Sequence, residues 1–282
     1  MTPTPRSMLF MPADRPKLAA KIPDIGADAA VLDLEDAVAA SGKGAAREIL
    51  RRSVSDSDTL GGPGHVLVRI NEVGSPWFAD DLALVGSLAE EHRQSVGVVV
   101  PKVETVDTVR RVRDAVGSVL LVAGIESGLG VADARQVLAA GVDGCYFGAE
   151  DYATDMGGRR TSSGEEVLYA RSQVVLAARL CGVFAVDQAV VAVKDDQAFI
   201  VDAGKGRDLG YTGKICIHPH QVALSHSLFS PSPDEVERAR RIVAAAAGGG
   251  GVALLDGAMV DHVHVRQAQA LLARAHDPSI GD

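Results

Sequence analysis

Eight short apolar runs alternate with helical patterns along this chain, and that alternation limits the fold more than any other feature. The runs span 7–11, 29–34, 66–70, 97–100, 119–124, 144–147, 184–187 and 214–217. Between them, stretches such as 45–54, 106–116, 131–140 and 165–180 repeat Val, Leu and Ala every three or four residues, as one buried helix face does. Runs such as Val96-Gly97-Val98-Val99-Val100 are apolar throughout, which predicts parallel strands covered on both faces. Eight repeats of strand and helix form either a closed barrel or an open doubly wound sheet. The first run is followed by neither G-x-G-x-x-G nor G-x-x-x-x-G-K-[ST], so the nucleotide-binding open sheet loses its usual support. The chain reads as a (β/α)8 TIM barrel, and 282 residues is close to the length of one such barrel.

Beyond the eighth run come a helical stretch from Gln221, the punctuation Ser230-Pro231-Ser232-Pro233, a second helix over 234–247, and four consecutive glycines, 248–251. We expect the barrel over 1–230 and a C-terminal helical extension over 231–282. The tetraglycine reads as a flexible joint. The segment beyond it, including an amphipathic helix over 265–275, is too small to bury a core alone, so it must dock on its own barrel or on a neighbouring subunit.

Composition excludes several classes. A net charge of -9 gives no broad attraction to nucleic acid or anionic lipid, both of which need clustered Lys and Arg. Cys145, Cys181 and Cys216 are far apart and form no metal or disulfide pattern, so they read as small core residues. Residues 1–7 carry two prolines and no apolar segment, and no run approaches the roughly 18 apolar residues of a membrane span. A cytoplasmic protein is expected.

In a barrel of this kind the active site lies at the C-terminal ends of the strands. Those ends are acidic here: Asp33-Leu34-Glu35-Asp36 after strand 2, Glu104 after strand 4, Glu126 after strand 5, Glu150-Asp151 after strand 6 and Asp187 after strand 7. A single acid after a strand is more often a surface charge or a helix cap. So many at one mouth would repel one another unless a cation or protonation relieved the field. Mg2+ is the natural guest, because it takes one or two protein carboxylates and keeps positions for water and substrate. Glu126 and Asp151, on adjacent strands, fit that economy.

Arg69, after strand 3, either neutralises these acids or receives a substrate carboxylate bidentately. Lys102 raises a rival Schiff-base chemistry. However, Glu104 two residues on favours a protonated lysine in an ion pair. His218 and His220, like His262 and His264, share a face only in extended chain, and carboxylate oxygens suit a hard ion better. His218 is therefore expected to orient its neighbours. The loop Arg159-Arg160-Thr161-Ser162-Ser163 reads equally as a solvated connection or a phosphate site.

Seven stretches then resemble, in order and spacing, the citrate lyase beta subunit-like (CitE-like) proteins, which group with malyl-CoA and citramalyl-CoA lyases in the HpcH/HpaI aldolase family. They are Phe10-Met11-Pro12-Ala13-Asp14-Arg15-Pro16, Leu32-Asp33-Leu34-Glu35-Asp36, Val68-Arg69-Ile70-Asn71, Pro101-Lys102-Val103-Glu104, Gly148-Ala149-Glu150-Asp151, Cys216-Ile217-His218-Pro219-His220-Gln221 and Met259-Val260-Asp261. The resemblance runs over about 7–275; each motif alone is weak, and the seven in register are specific.

The resemblance implies Mg2+ held by Glu126 and Asp151, with the keto-acid carboxylate gripped by Arg69 beside Glu126. It implies coenzyme A near Pro12 and Arg15, and a homo-oligomer, often a trimer, whose C-terminal segment brings Asp261 to a neighbour. The implied reaction is carbon–carbon cleavage or formation in a 3-hydroxyacyl-CoA such as malyl-, citramalyl- or citryl-CoA, giving an acyl-CoA and an α-keto acid. Asp261 is the candidate for proton exchange with the thioester carbon, and Asp36 and Glu35 are second candidates. One departure is present: the family usually has a proline two residues after the aspartate, where this chain has Val263, and Ala258 stands where a longer polar residue is common. Two alternatives stand beside this reading, a citrate lyase subunit working on a carrier-protein thioester and a metal-dependent pyruvate aldolase without CoA.

Overall fold

The computed structural model describes residues 4–55, 64–92, 96–246 and 252–275. Eight parallel strands close into a barrel: β1 (Ser7–Pro12), β2 (Ala29–Asp33), β3 (His65–Arg69), β4 (Val96–Val100), β5 (Leu121–Ile125), β6 (Gly144–Phe147), β7 (Phe184–Asp187) and β8 (Gly213–Cys216). Each strand pairs with the next in sequence, and Met8 of β1 pairs with Ile215 of β8 to complete the ring. All eight apolar runs are strands, with no end shifted by more than two residues.

Strands buried on both faces leave inside and outside unmarked in the sequence, and packing assigns them. Met8, Val31, Leu67, Val99, Val122, Tyr146, Val186 and Ile215 fill the barrel interior. Large and small residues alternate there, as a tapering barrel requires. A Cβ on Gly97 would lie 2.6 Å from Leu67, and Gly144 lies against the Phe184 ring. Parity then carries Asp33, Arg69 and Glu126 inward at the C-terminal ends, while Asp187 turns out toward the helices.

Helices cover the outside. Val106–Val116 is typical: Thr105 caps it through Thr108 N, Val109, Val112 and Val116 face the sheet, and Gly117 ends it in a left-handed turn at φ 67°. The helix expected over 131–140 is instead two short ones, Gly128–Ala132 and Ala134–Leu138, broken at Asp133. Asp133 adopts φ -99° and ψ 10°, and its backbone carbonyl accepts from Gln136 N, starting the second helix afresh.

Packing divides the chain into two compact units, Met1–Ser225 and His226–Asp282. The second contains the helices Pro233–Ala246 and His262–Ala275 and a hairpin of β9 (Val252–Leu255) with β10 (Ala258–Asp261). Asp256 and Gly257 form its two-residue turn at φ 52° and 79°, the positive values that such a hairpin demands. The tetraglycine, 248–251, lies outside the described residues. Among the described residues no helix is long and apolar enough to cross a membrane.

Candidate active site

The C-terminal mouth of the barrel holds a cavity of about 410 Å³. Its wall includes Pro12, Asp33, Asp36, Arg69, Glu126, Tyr146, Glu150 and Asp151, with Phe10, Ala189 and Ile215 as an apolar floor. Arg69 is the one cation among these lining residues, against five carboxylates. Two of the five already accept hydrogen bonds from cations, Asp33 from Arg69 and Glu150 from Arg160 at 2.9 Å.

Asp33, at the end of β2, is the anchor. Its Oδ1 accepts from Arg69 Nε (2.7 Å) and Glu35 N (2.8 Å), and its Oδ2 from Arg69 Nη2 (2.6 Å) and Ala37 N (3.1 Å). This one carboxylate therefore fixes both the guanidinium plane and the loop that carries Glu35 and Asp36. Arg69 stacks over the Phe10 ring at 5.2 Å, and its Nη1 lies 2.7 Å from Glu35 Oε2. Of five guanidinium N–H groups, Asp33 takes two and Glu35 faces a third, so two remain to receive a ligand carboxylate.

Lys102 forms the expected ion pair, but with Glu35 and not with Glu104. Its cation meets Glu35 Oε1 at 2.9 Å and lies 3.8 Å from Asp151, whereas Glu104 accepts from Ser127 Oγ at 2.6 Å. The reason is the backbone: Lys102 adopts φ 49°, a left-handed conformation that is rare outside glycine. The carboxylates hold its ammonium well above the ordinary range despite partial burial, which opposes Schiff-base chemistry. Burial raises the Glu35 carboxyl, and Arg69 and Lys102 pull it back.

Glu126, following β5, is 2% exposed. Its Oε1 accepts a hydrogen bond from Tyr146 Oη, while its Oε2 is buried with no hydrogen-bond partner among the described residues. Desolvation pushes the carboxyl up to about 8, and the charges of Glu35 and Asp151 add to the rise. Asp151 is half-exposed at the N-terminal turn of the helix Ala149–Asp155. Among the described residues no three His, Cys, Asp or Glu side chains converge on one point, so a bound cation would have two protein carboxylates and complete its shell from water and substrate.

The remaining candidates fall elsewhere. Asp36 lines the cavity with a largely exposed carboxylate, 4.0 Å from Arg69. Pro12 lines it too, and Arg15 is solvent-exposed, 3.3 Å from its neighbour Asp14. Asn71 is turned away onto Asp81 and the Leu34 carbonyl. Asp187, read as part of the acidic mouth, instead lies outside the sheet, paired with Arg171 and Lys214. His218 is exposed and accepts from His220 N, and in the loop over 159–163 Arg160 is paired with Glu150 and Glu166.

In the second unit, Asp261 Oδ1 accepts from His264 Nδ1 (2.7 Å), Val263 N (2.9 Å) and His264 N (3.3 Å). These bonds cap the last helix and hold the carboxyl below its ordinary range, led by the His264 side chain. The departure at Val263 has a use, because a proline there could not donate its amide. Asp33 and Tyr146 were not singled out as site residues from sequence. An aspartate at a strand end could have been matched to Arg69, whereas a tyrosine inside an apolar strand reads as core.

The family model for HpcH/HpaI aldolase/citrate lyase matches residues 6–219. The chain is 44% identical over 279 residues to the citrate lyase subunit beta-like protein of Deinococcus radiodurans, covering 95% of this chain and 96% of the relative. It is 34% identical over 276 residues to the (3S)-malyl-CoA thioesterase of Cereibacter sphaeroides, covering 96% and 94%. The crystal structure of CitE from Mycobacterium tuberculosis in complex with magnesium, acetoacetate and coenzyme A superposes with a TM-score of 0.83 at 31% identity, covering 98% of this chain and 99% of that one.

Proposed function

This chain belongs to the HpcH/HpaI aldolase/citrate lyase family, and from that premise we propose that it is a magnesium-dependent lyase dividing a 3-hydroxyacyl-CoA into an acyl-CoA and an α-keto acid. The observation that carries the reading is Glu126 Oε2, buried and without a partner, at a cavity that also holds Asp151 and Arg69. A carboxylate oxygen buried in that way suits a hard cation whose shell is completed by the half-exposed Asp151, water and substrate. The chemistry that a bound Mg2+ supplies is Lewis-acid polarisation of the hydroxyl and keto oxygens.

The chain's own groups do the rest. Arg69, held in plane by Asp33, receives the substrate carboxylate on its two remaining N–H groups. Asp36 takes the proton of the 3-hydroxyl group as the carbon–carbon bond breaks, and the bonding pair passes to the thioester carbon. Asp261, kept ionised by its lowered pKa, removes a proton from that carbon in synthesis; cleavage runs the reverse transfer from its protonated form, and solvent then carries the proton held by Asp36 back to it. Glu35, pinned between Arg69 and Lys102, orients the pair and stands second to Asp36 as acceptor. Pro12, from the cavity wall, and the exposed Arg15 are the residues assigned to coenzyme A in this reading. The expected trimer, in which one subunit's Asp261 serves another's barrel, stays part of the proposal.

The test is cleavage of malyl-, citramalyl- and citryl-CoA with and without EDTA, reading keto acid and free thiol separately. Metal-dependent keto acid release is expected, and full turnover in EDTA would remove the metal role. The similarity to a malyl-CoA thioesterase favours a second reading, in which free thiol appears with the hydroxy acid intact. Turnover of a carrier-protein thioester alone would point to a citrate lyase subunit. Mixing Glu126→Gln with Asp261→Asn chains should restore activity if sites are shared between subunits; no recovery would sink that part.

A further inference from the structure

Tyr146 stands on the inner face of β6 with its ring 2% exposed and set edge-on to Phe10, centroids 5.8 Å apart. Its hydroxyl has one partner among the described residues, Glu126 Oε1. Glycines clear the space for this pair. A Cβ on Gly124 would lie 2.5 Å from both Glu126 Oε1 and Tyr146 Oη, and a Cβ on Gly148 would lie 2.6 Å from Glu126 Cγ. The carboxylate is thus confined, with one oxygen committed to the phenol and the other buried and unpartnered.

We propose that Tyr146 is a positioning residue that makes Glu126 a one-oxygen ligand and so tilts the site toward Mg2+ over Ca2+. This rests on the reading of Glu126 as a metal ligand. Mg2+ holds a tight octahedron and takes single carboxylate oxygens, whereas Ca2+ takes six to eight oxygens and readily chelates both oxygens of one carboxylate. To be chelated through both oxygens, Glu126 would have to give up the Tyr146 hydrogen bond inside a buried wall, where the hydroxyl has no second partner among the described residues. The cost falls on the larger ion. A phenol that merely satisfied its own hydrogen bond in the core would leave the ratio of the two affinities untouched.

The experiment is calorimetric titration of the full-length, metal-stripped chain with MgCl2 and with CaCl2, for the parent, Tyr146→Phe, Gly124→Ala and Glu126→Gln. Tyr146→Phe is expected to lower Mg2+ affinity about tenfold, as loss of a ligand-orienting hydrogen bond does, with a smaller loss for Ca2+, so that the Mg2+ to Ca2+ ratio narrows. Gly124→Ala keeps the phenol but presses a methyl between the two groups, and should narrow the ratio in the same direction. It stands in if Tyr146→Phe does not fold by circular dichroism. A ratio within about twofold of the parent in a folded variant, while Glu126→Gln loses Mg2+, overturns the role of Tyr146 and leaves the ligand reading intact. Unchanged Mg2+ binding in Glu126→Gln removes the ligand reading itself, and this proposal with it.

Discussion

Two clusters of buried charge lie on opposite faces of one sheet, and they are finished differently. Outside the barrel, Asp187 and Asp202 meet Arg171 and Lys214, two anions with two cations. Every carboxylate oxygen there is engaged: Asp187 Oδ1 by Arg171 Nε at 2.8 Å, Asp187 Oδ2 by Lys214 at 2.7 Å, Asp202 Oδ1 by Arg171 and Gln188 at 3.1 Å each, and Asp202 Oδ2 by Lys214 at 2.6 Å. The one unpartnered oxygen belongs to Gln188, a neutral amide. Inside the mouth, Asp33, Glu35, Asp36, Glu126 and Asp151 outnumber Arg69 and Lys102, and although Glu35 Oε2 lies 2.7 Å from Arg69 Nη1, Glu126 Oε2 has no partner among the described residues. Charge buried for architecture is closed on itself, while charge kept for chemistry is left open toward a guest.

The difference can be broken by mutation. Lys214→Ala would strand two carboxylates in the closed cluster and is expected to cost about 3–5 kcal/mol of stability in urea unfolding; a loss below about 1 kcal/mol would abolish the contrast. Glu126→Gln in the open cluster should cut turnover about a hundredfold or more, with metal-free stability unchanged or raised, since the amide can never ionise in the buried site and its oxygen still accepts from the Tyr146 hydroxyl. A stability loss like that of Lys214→Ala would show the mouth to be architectural as well.

Acidity sharpens the contrast. The Glu126 carboxyl lies near 4.5 in the unfolded chain and is raised to about 8 in the fold. Between those values the native state holds a proton that the unfolded state has released, so in EDTA stability should fall as pH rises through the window and level off above it. At about 1.4 kcal/mol per unit the total is a few kcal/mol, and Glu126→Gln should flatten the slope. An unchanged slope in that variant would remove Glu126 as its source. The smallest effect belongs to the second unit, where Asp261→Ala removes a helix cap worth about 1 kcal/mol while lowering turnover far more than metal affinity. Equal turnover would exclude Asp261 from the reaction.

Much of the barrel was legible because strands buried on both faces must be apolar throughout, so each of the eight announces itself. The same uniformity hides which way a strand end points. Asp187 and Glu126 look alike in sequence, yet parity sends one to the helix layer and the other into the mouth. Lys102 was readable as an ion pair but not its partner, because the choice of Glu35 over Glu104 turns on a left-handed backbone that lysine does not advertise. Tyr146 escaped notice because only the neighbouring glycines, brought close by β5 and β6, show that its hydroxyl has a purpose.

The clearance above Glu126 also limits what can stand at position 148. A methyl there would meet the glutamate stem at Cγ, an atom that aspartate carries too, so shortening the acid would not make room for it. Any descendant with a bulkier residue after β6 must swing this side chain into another rotamer, and its carboxylate would move away with it.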